Sequence, residues 1–215
     1  MTTNSLGALE WNAQGKKGDL PTFRFKQWKG GVVGKLPPPP QGFGLFVSLT
    51  PVTDEDLKEI SGLKSLKGLY IRDTLITDAC LKELAGLDGL QSLDLSGNKV
   101  TNAGLNELTG LKGLQWLSLG NTSVTDSGLK ELMALKSLQN LDLGDTKVTD
   151  AGLKELAPLQ SLHTLVLIGT NVTDAGLKEL AVLKDLKMLW LRKTKVSDAG
   201  VKELQKALPN CKINR

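Results

Sequence analysis

The sequence is short of the side chains on which most catalytic and metal sites depend. Its 215 residues include one histidine, His163, and two cysteines, Cys80 and Cys211. A single histidine excludes a metal centre built from several imidazoles and leaves few options for histidine-based acid–base catalysis. Nucleotide-binding motifs are missing too, because Gly-Phe-Gly at residues 42–44 lacks a third glycine and a following helix. We therefore expect a protein with no enzymatic activity, no cofactor and no metal ion.

Long hydrophobic runs and a broad cationic surface are also missing. No stretch approaches the ~18 apolar residues that a membrane-spanning helix needs, and the N-terminal residues lack the apolar core of a secretion signal. The net charge of +4 arises in residues 1–41, which hold six basic and two acidic side chains, so the rest of the chain is neutral. We expect a cytoplasmic protein that binds neither nucleic acid nor membrane. Two widely separated cysteines, interpreted as buried free thiols, fit that reducing compartment.

What the sequence does contain is a repeat with a period of 24 residues. Its clearest column consists of Thr50, Thr74, Asn98, Thr122, Thr146, Thr170 and Thr194. A fixed period of this length is typical of a solenoid, in which each coil packs on its neighbours. We expect seven coils in residues 42–209, an N-terminal leader and cap in residues 1–41, and the end of a C-terminal cap in residues 210–215.

Each copy has the pattern of one strand, one turn and one short helix. In the copy at residues 138–161, Leu141 and Leu143 alternate with polar neighbours, as in a strand with one buried face. Leucines at every third position follow, which favours a short helix with its apolar side inward. Thr149 or Asp150 is the candidate N-cap of that helix. The prediction is an α/β solenoid shaped as a right-handed horseshoe, with a parallel sheet on the concave face and short helices on the convex face.

Two features precede the repeats. Residues 22–36 predict a β-hairpin, with alternating phenylalanines in the first strand, a Gly30-Gly31 turn and a return strand that starts at Val32-Val33. This hairpin would cover the end of the aliphatic core. Pro37 to Pro40 form a proline run, which we interpret as a stiff connector; a ligand for a proline-recognition domain is the alternative.

The repeat resembles that of the leucine-rich repeat family, most closely the 24-residue copies of its bacterial members. The resemblance lies in phrases such as TDAGLKEL and LKSLQNLDL and covers residues 42–213. Related TDxGL phrases occur in F-box ubiquitin-ligase subunits, although no F-box is apparent in residues 1–41. The resemblance implies a horseshoe that binds other macromolecules and does not catalyse through its repeats. The threonine column stands where the family usually has asparagine, and we expect its side chains to bond the backbone of the neighbouring turn.

The binding surface should lie on the concave face, to which the residues beside the strand leucines point. From Leu66 onward the aromatic residues are Tyr70, Trp116 and Trp190, and all of them fall in these variable columns. Large aromatic residues held in water, while the core is aliphatic, are typical interface anchors. The predicted partner-binding residues are Tyr70, Arg72, Asp94, Trp116, Asp142, Asp145, Val166, Ile168, Met188, Trp190 and Arg192.

This set has an acidic centre and an apolar C-terminal end with basic edges. Glycines in the same columns either leave room for a partner or are required by a tight coil; the sequence leaves both explanations open. The pattern favours a scaffold that binds a protein or peptide with complementary charge. The alternatives are a carbohydrate-binding module, with Trp116 and Tyr70 stacked on sugar rings, and a structural spacer in a larger assembly. We expect a monomer, with weak self-association through the apolar end left open.

Overall fold

The computed structural model describes residues 9–12, 21–25, 28, 31, 33, 42–47 and 51–215. Within these residues a single ten-stranded sheet has its strands in chain order. The strands are β1 (Leu9–Asn12), β2 (Thr22–Phe25), β3 (Phe43–Phe46), β4 (Leu66–Tyr70), β5 (Ser92–Asp94), β6 (Trp116–Ser118), β7 (Asn140–Asp142), β8 (Thr164–Val166), β9 (Met188–Trp190) and β10 (Lys212–Asn214). β1 and β2 pair antiparallel, and all later neighbours pair parallel.

The register of the parallel pairs repeats the 24-residue period. Leu93, Leu117 and Leu141 stand side by side in neighbouring strands, and each is at most 1% exposed. These leucines belong to one continuous aliphatic core that runs the length of the coils. The strand residues on either side of them point to the opposite face of the sheet, because side chains alternate along a strand. The predicted α/β horseshoe with a parallel sheet is confirmed.

The helices lie on the other side of the core and are short. They are α1 (Asp54–Leu57), α2 (Asn102–Leu105), α3 (Leu129–Leu132), α4 (Asp150–Leu153), α5 (Asp174–Leu177) and α6 (Asp198–Ala207). Six coils also contain a 3₁₀ turn, at Lys58–Gly62, Asp78–Glu83, Asn106–Gly110, Asp126–Gly128, Lys154–Leu156 and Lys178–Val182, whereas α6 of the last coil is α-helical throughout. Leucines at every third position suit a 3₁₀ turn, in which residues three apart lie on one side.

The predicted return strand after β2 is wrong where the structure describes it. Val33 lies outside the strands, and the antiparallel partner of β2 is β1, which precedes it in the chain. The reason is that β1 and β3 already occupy both edges of β2. Val33 is instead buried, and its backbone N–H donates to the Glu59 carboxylate at 3.2 Å. Gly30, Val32 and residues 37–40 lie outside the described residues.

The threonine column, here called the inner column, bonds the neighbouring coil's backbone at Asn98, as predicted, but not at the threonines from Thr122 onward. The hydroxyls from Thr122 to Thr194 donate to carbonyls three residues earlier in their own coil, at 2.6–2.7 Å. Asn98 is the member that reaches the preceding coil. Its Nδ2 donates to the Ile71 carbonyl at 2.6 Å, and its Oδ1 accepts from the Thr74 N–H at 3.0 Å. The same Oδ1 also accepts from the Thr74 hydroxyl at 2.7 Å. The longer amide supplies both a donor and an acceptor, whereas the hydroxyls from Thr122 to Thr194 donate their single proton within their own coil.

A second set of polar residues, the outer column, connects successive coils where the helices begin. Asp126 accepts from the N–H and from the hydroxyl of Thr149, both at 2.7 Å. Thr149 also caps α4, because its Oγ1 accepts from the Ala151 N–H at 3.3 Å. Asp150, the other candidate cap, bonds Thr173 of the next coil instead. Among the described residues, the outer column pairs Asp54 with Thr77, Asp78 with Thr101, Asn102 with Thr125, Asp126 with Thr149, Asp150 with Thr173 and Asp174 with Ser197.

Candidate functional site

The N-terminal half of the concave face carries a row of aromatic rings. Tyr70 on β4 and Trp116 on β6 are both half-buried, with ring centroids 6.0 Å apart. Phe46 extends the row, 5.9 Å from Tyr70. The guanidinium of Arg24 lies 4.0 Å above the Phe46 ring, in the geometry of a cation–π contact. These rings stand on the sheet surface and not in the aliphatic core.

The centre of the concave face holds a shallow space of about 300 Å³, here called the concave depression. Among its lining residues are seven of the predicted partner-binding residues: Arg72, Asp94, Trp116, Asp142, Asp145, Val166 and Ile168. The other four, Tyr70, Met188, Trp190 and Arg192, lie outside it. Its volume is at the lower end of the ~300–1,000 Å³ typical of small-molecule sites.

Hydrogen bonds fix two carboxylates of the concave depression. The Asp94 Oδ1 accepts from the N–H and the hydroxyl of Ser96, at 3.0 and 2.5 Å. The Asp142 Oδ1 accepts from the Gly144 N–H at 2.9 Å, and its Oδ2 accepts from the Ser118 hydroxyl at 3.1 Å. These bonds fix the orientation of both acids before any partner binds. Less side-chain freedom is then lost on binding, so the entropic cost of binding is lower.

The concave depression is negatively charged. Its ionisable lining residues are Arg72 and the four acids Asp73, Asp94, Asp142 and Asp145, a net charge of −3. Arg72 donates from Nε to the Asp73 carboxylate at 3.1 Å, so the cation lies with the acid at one side of the depression. The remaining acids face a surface without a compensating cation in the lining, and the site therefore favours a positively charged group.

One column at the end of the strands is dictated by the backbone. Its residues have φ between 53° and 70°, the left-handed region that glycine, asparagine and aspartate tolerate best. We call it the left-handed column; it comprises Asp73, Gly97, Asn121, Asp145, Gly169 and Lys193. Gly97 and Gly169 are thus explained by the tight coil. Gly120 and Gly144 have no positive φ, and a Cβ at either would lie 3.2 Å from the Asp142 carboxylate, so these two keep the depression open.

The C-terminal end of the concave face is apolar. Val166 and Trp190 stand side by side on β8 and β9, as do Thr164 and Met188. Val166, Met188 and Trp190 are half-buried, while Arg192, just after β9, is exposed. Ile168 and Lys193 complete this end, with the same contrast between a half-buried apolar residue and an exposed basic one.

The two cysteine thiols are buried and unreactive. Burial raises the pKa of Cys80 to about 12, with the nearby Asp54 carboxylate adding to the effect, and burial raises the pKa of Cys211 to about 11. Both thiols are free and remain protonated at neutral pH, so neither is a competent nucleophile. Within the part of the chain that the structure describes, no three metal-ligating side chains cluster, and no helix has the length and apolarity to cross a membrane.

Comparison with known proteins agrees with this architecture. The family description "Leucine Rich repeat" matches residues 90–108 and 134–157. A similar solved structure is that of an internalin C2 from Listeria monocytogenes, with 27% identity and a TM-score of 0.64, covering 80% of this chain and 70% of that one. The chain is a leucine-rich repeat protein.

A second solved structure gives a more distant likeness to this leucine-rich repeat protein. It is an internalin F from Listeria monocytogenes, with 19% identity and a TM-score of 0.59, covering 81% of this chain and 53% of that one. At this identity the likeness concerns the fold alone. The chain spans about half the length of that internalin. A search of curated protein sequences found no match.

Several residues of the site were missed by the sequence reasoning. Ser118 is 3% exposed between Asp94 and Asp142, yet its column gave no reason to select it among other small residues. Phe46 occupies the same column as Tyr70 and could have been found by that signal. Arg24 carries no such signal, because its contact with Phe46 depends on the parallel pairing of β2 with β3.

Proposed function

We propose that this leucine-rich repeat protein is a non-enzymatic scaffold that binds a protein or peptide on its concave face. The observation that supports this most is the position of Tyr70, Trp116 and Trp190, half-buried on the sheet surface beside a fully buried aliphatic core. Rings of this kind lose little conformational freedom on binding and present large contact areas. The 24-residue repeat of bacterial type, the cytoplasmic location and the monomeric state are parts of the same proposal, and the two unpaired cysteines favour a reducing compartment.

The size of the face sets the expected affinity. Seven strands about 4.8 Å apart span roughly 30 Å, and the exposed part of each strand is roughly 13 Å long. The area is on the order of 400 Å², about half of the ~800 Å² per partner that is usual in stable complexes. We therefore expect micromolar binding through the concave face alone.

The test is a quantitative pull-down with the chain immobilised, comparing the unmodified protein with the double variant Trp116→Ala/Trp190→Ala. Truncation of hot-spot aromatics costs ~2 kcal/mol or more, so the partner should be lost from the double variant. Met133→Ala is the control, since Met133 is an exposed apolar residue on the helical side. A partner retained equally by all three proteins would contradict binding on the concave face.

A carbohydrate ligand is the second candidate. Trp116 and Tyr70 are close enough to form one stacking platform, and fixed carboxylates at Asp94 and Asp142 could accept from sugar hydroxyls. A glycan array distinguishes the two hypotheses: a glycan bound by the unmodified chain and lost with Trp116→Ala would favour the sugar. A chain that binds neither proteins nor glycans would be left as a structural spacer.

A further inference from the structure

We propose that the concave depression receives an arginine side chain of the protein partner, an inference that rests on the function proposed above. Asp94, Ser118 and Asp142 stand in register on three neighbouring strands. Neighbouring strands are about 4.8 Å apart, so about 10 Å separates the backbones of the two acids. A side chain inserted above Ser118 therefore lies between two carboxylates and within reach of both. We call this space the Asp94–Asp142 slot.

Small residues keep the slot free. Ser118 forms its base, is 3% exposed and donates its hydroxyl to Asp142. Gly120 follows Ser118 by two residues, just after β6, and lies on the same face. It contributes no side chain, and a Cβ there would lie 3.2 Å from the Asp142 Oδ2. Any larger residue at either position would fill the space between the acids.

Trp116 closes one end of the slot. It precedes Ser118 by two residues on β6, so its half-buried ring lies on the same face. A planar guanidinium can stack on such a ring while donating two hydrogen bonds to a carboxylate, whereas a lysine ammonium lacks the flat fork. The chain makes a contact of this type itself, since Arg24 lies 4.0 Å above Phe46 in the same aromatic row.

The charge of the concave depression favours a cationic side chain from the partner. The lining of the concave depression has a net charge of −3, and the exposed Asp145 carboxylate has no hydrogen-bond partner among the described residues. At the C-terminal end the pattern reverses, with apolar Val166 and Trp190 beside the exposed Arg192. The centre and the C-terminal end of the face therefore attract oppositely charged parts of one partner segment.

The strand spacing sets the distance between those parts. From β6 to β9 is about 14 Å, or about four residues of extended chain at roughly 3.3 Å each. The partner segment should carry an apolar residue about four positions from its arginine, with an acidic residue next to the apolar one.

The probe is a phage-displayed library of random dodecapeptides selected on the full chain. We expect selected peptides to share an arginine and to lose binding with Trp116→Ala. Replacing that arginine by citrulline, which keeps the shape and removes the charge, should raise Kd about tenfold or more. Asp94→Asn/Asp142→Asn should raise it similarly, because asparagine retains an oxygen that accepts the Ser96 and Gly144 bonds but loses the charge. Asp88→Asn, at an exposed acid in the turn before β5, should leave Kd unchanged.

The outcomes separate this inference from the function beneath it. Peptides that require Trp116 but share no arginine, or that bind the Asp94→Asn/Asp142→Asn variant equally well, would overturn the arginine slot and leave the protein-binding scaffold standing. A selection that yields no peptide sensitive to Trp116→Ala/Trp190→Ala would overturn the scaffold proposal as well. Thermal unfolding of each variant, expected to match the unmodified chain within a few degrees, shows that any loss of binding is local.

Discussion

The inner and outer columns run along the same coils and have similar residues, yet their side chains form different hydrogen bonds. In the inner column the hydroxyls from Thr122 to Thr194 bond carbonyls of their own coil, and among the described members only Asn98 and Thr74 bond between coils. In the outer column each acid bonds the next coil twice. Side-chain bonds between coils are therefore concentrated where the helices begin. The strand side has fewer of them, at Asn98 and between Ser118 and Asp142, and depends mainly on its backbone pairing and on buried leucines.

The largest expected effect comes from crowding the outer column. A Cβ at Gly152 would overlap the Asp126 Oδ1 and lie 3.0 Å from Leu129 Cδ1, displacing the acid from Thr149. Gly152→Ala should lower the free energy of unfolding by about 3 kcal/mol, since overpacking and a lost bond act together. Thermal or urea unfolding measures this change. The matched control is Gly110→Ala, where the nearest atom is 3.7 Å away and the change should stay within about 0.5 kcal/mol. Equal effects at the two glycines would contradict the packing argument.

Asn98 tests the inner column. Asn98→Thr leaves the Ile71 carbonyl and the Thr74 N–H without their partner in a site that is 6% exposed. We expect a loss of about 2 kcal/mol in the free energy of unfolding. The reverse change, Thr146→Asn, gives its coil the same reach and should be neutral or stabilising by up to about 1 kcal/mol. Urea unfolding of both variants measures these changes. If Thr146→Asn destabilises the chain as much as Asn98→Thr does, the reach of the longer amide to the preceding coil is not what makes Asn98 stabilising.

Two substitutions of Asp126 separate the effect of its charge on stability from the effect of its hydrogen bonds. Asp126→Ala removes both bonds to Thr149 and should cost about 1–2 kcal/mol. Asp126→Asn should cost less, because Asn102 already joins its coil to Thr125 with bonds of 2.9 and 2.8 Å. Chemical denaturation measures both variants. If asparagine is as damaging as alanine, the carboxylate charge and not the hydrogen-bond geometry holds the coils together.

The smallest effect is a pH dependence. The hydroxyl and the N–H of Ser197 donate to Asp174 and lower its pKa below the ordinary value. Because the folded pKa is the lower one, this stabilisation is complete above a pH of about 4, the usual unfolded value, and is lost as the pH falls through the folded pKa. Unfolding measured at neutral and at acidic pH should show a smaller acid loss for Asp174→Asn than for the unmodified chain. An unchanged acid loss in the variant would assign the effect to other groups.

The parts of the fold that a local pattern determines could be predicted. Leucines with alternate spacing became the buried strand residues, and the period alone placed them in register. The outer column could not be derived from one copy, since Asp150 next to Thr149 has the sequence of a helix cap. Its partner is 23 residues away, in the next coil. The regular recurrence of Asp after Thr in successive copies was the signal, because a cap needs only one of the two residues.

The candidate site was predictable in its aromatic and acidic residues, and the assignment of partner binding to them stays a prediction. Alternation along the strands is enough to place Trp116 and Asp142 on one face. It does not show that Ser118 separates two acids, or that an arginine from the N-terminal segment lies on Phe46. The failed return strand at Val33 has the same cause. The sequence carries the propensity of a segment, whereas the free edges of a sheet are known only after the other strands are in place.

The left-handed column limits how far this surface can be remodelled. A library that diversified every residue of the inner wall would populate those six positions with β-branched and aromatic side chains, which the local conformation penalises by roughly 1–2 kcal/mol each. Engineered versions of the chain should therefore keep glycine, asparagine or aspartate there and vary the strand residues that precede them. Lys193 is the natural exception. Replacing it with glycine should raise the free energy of unfolding, and the chain could then tolerate more destabilising substitutions at other positions.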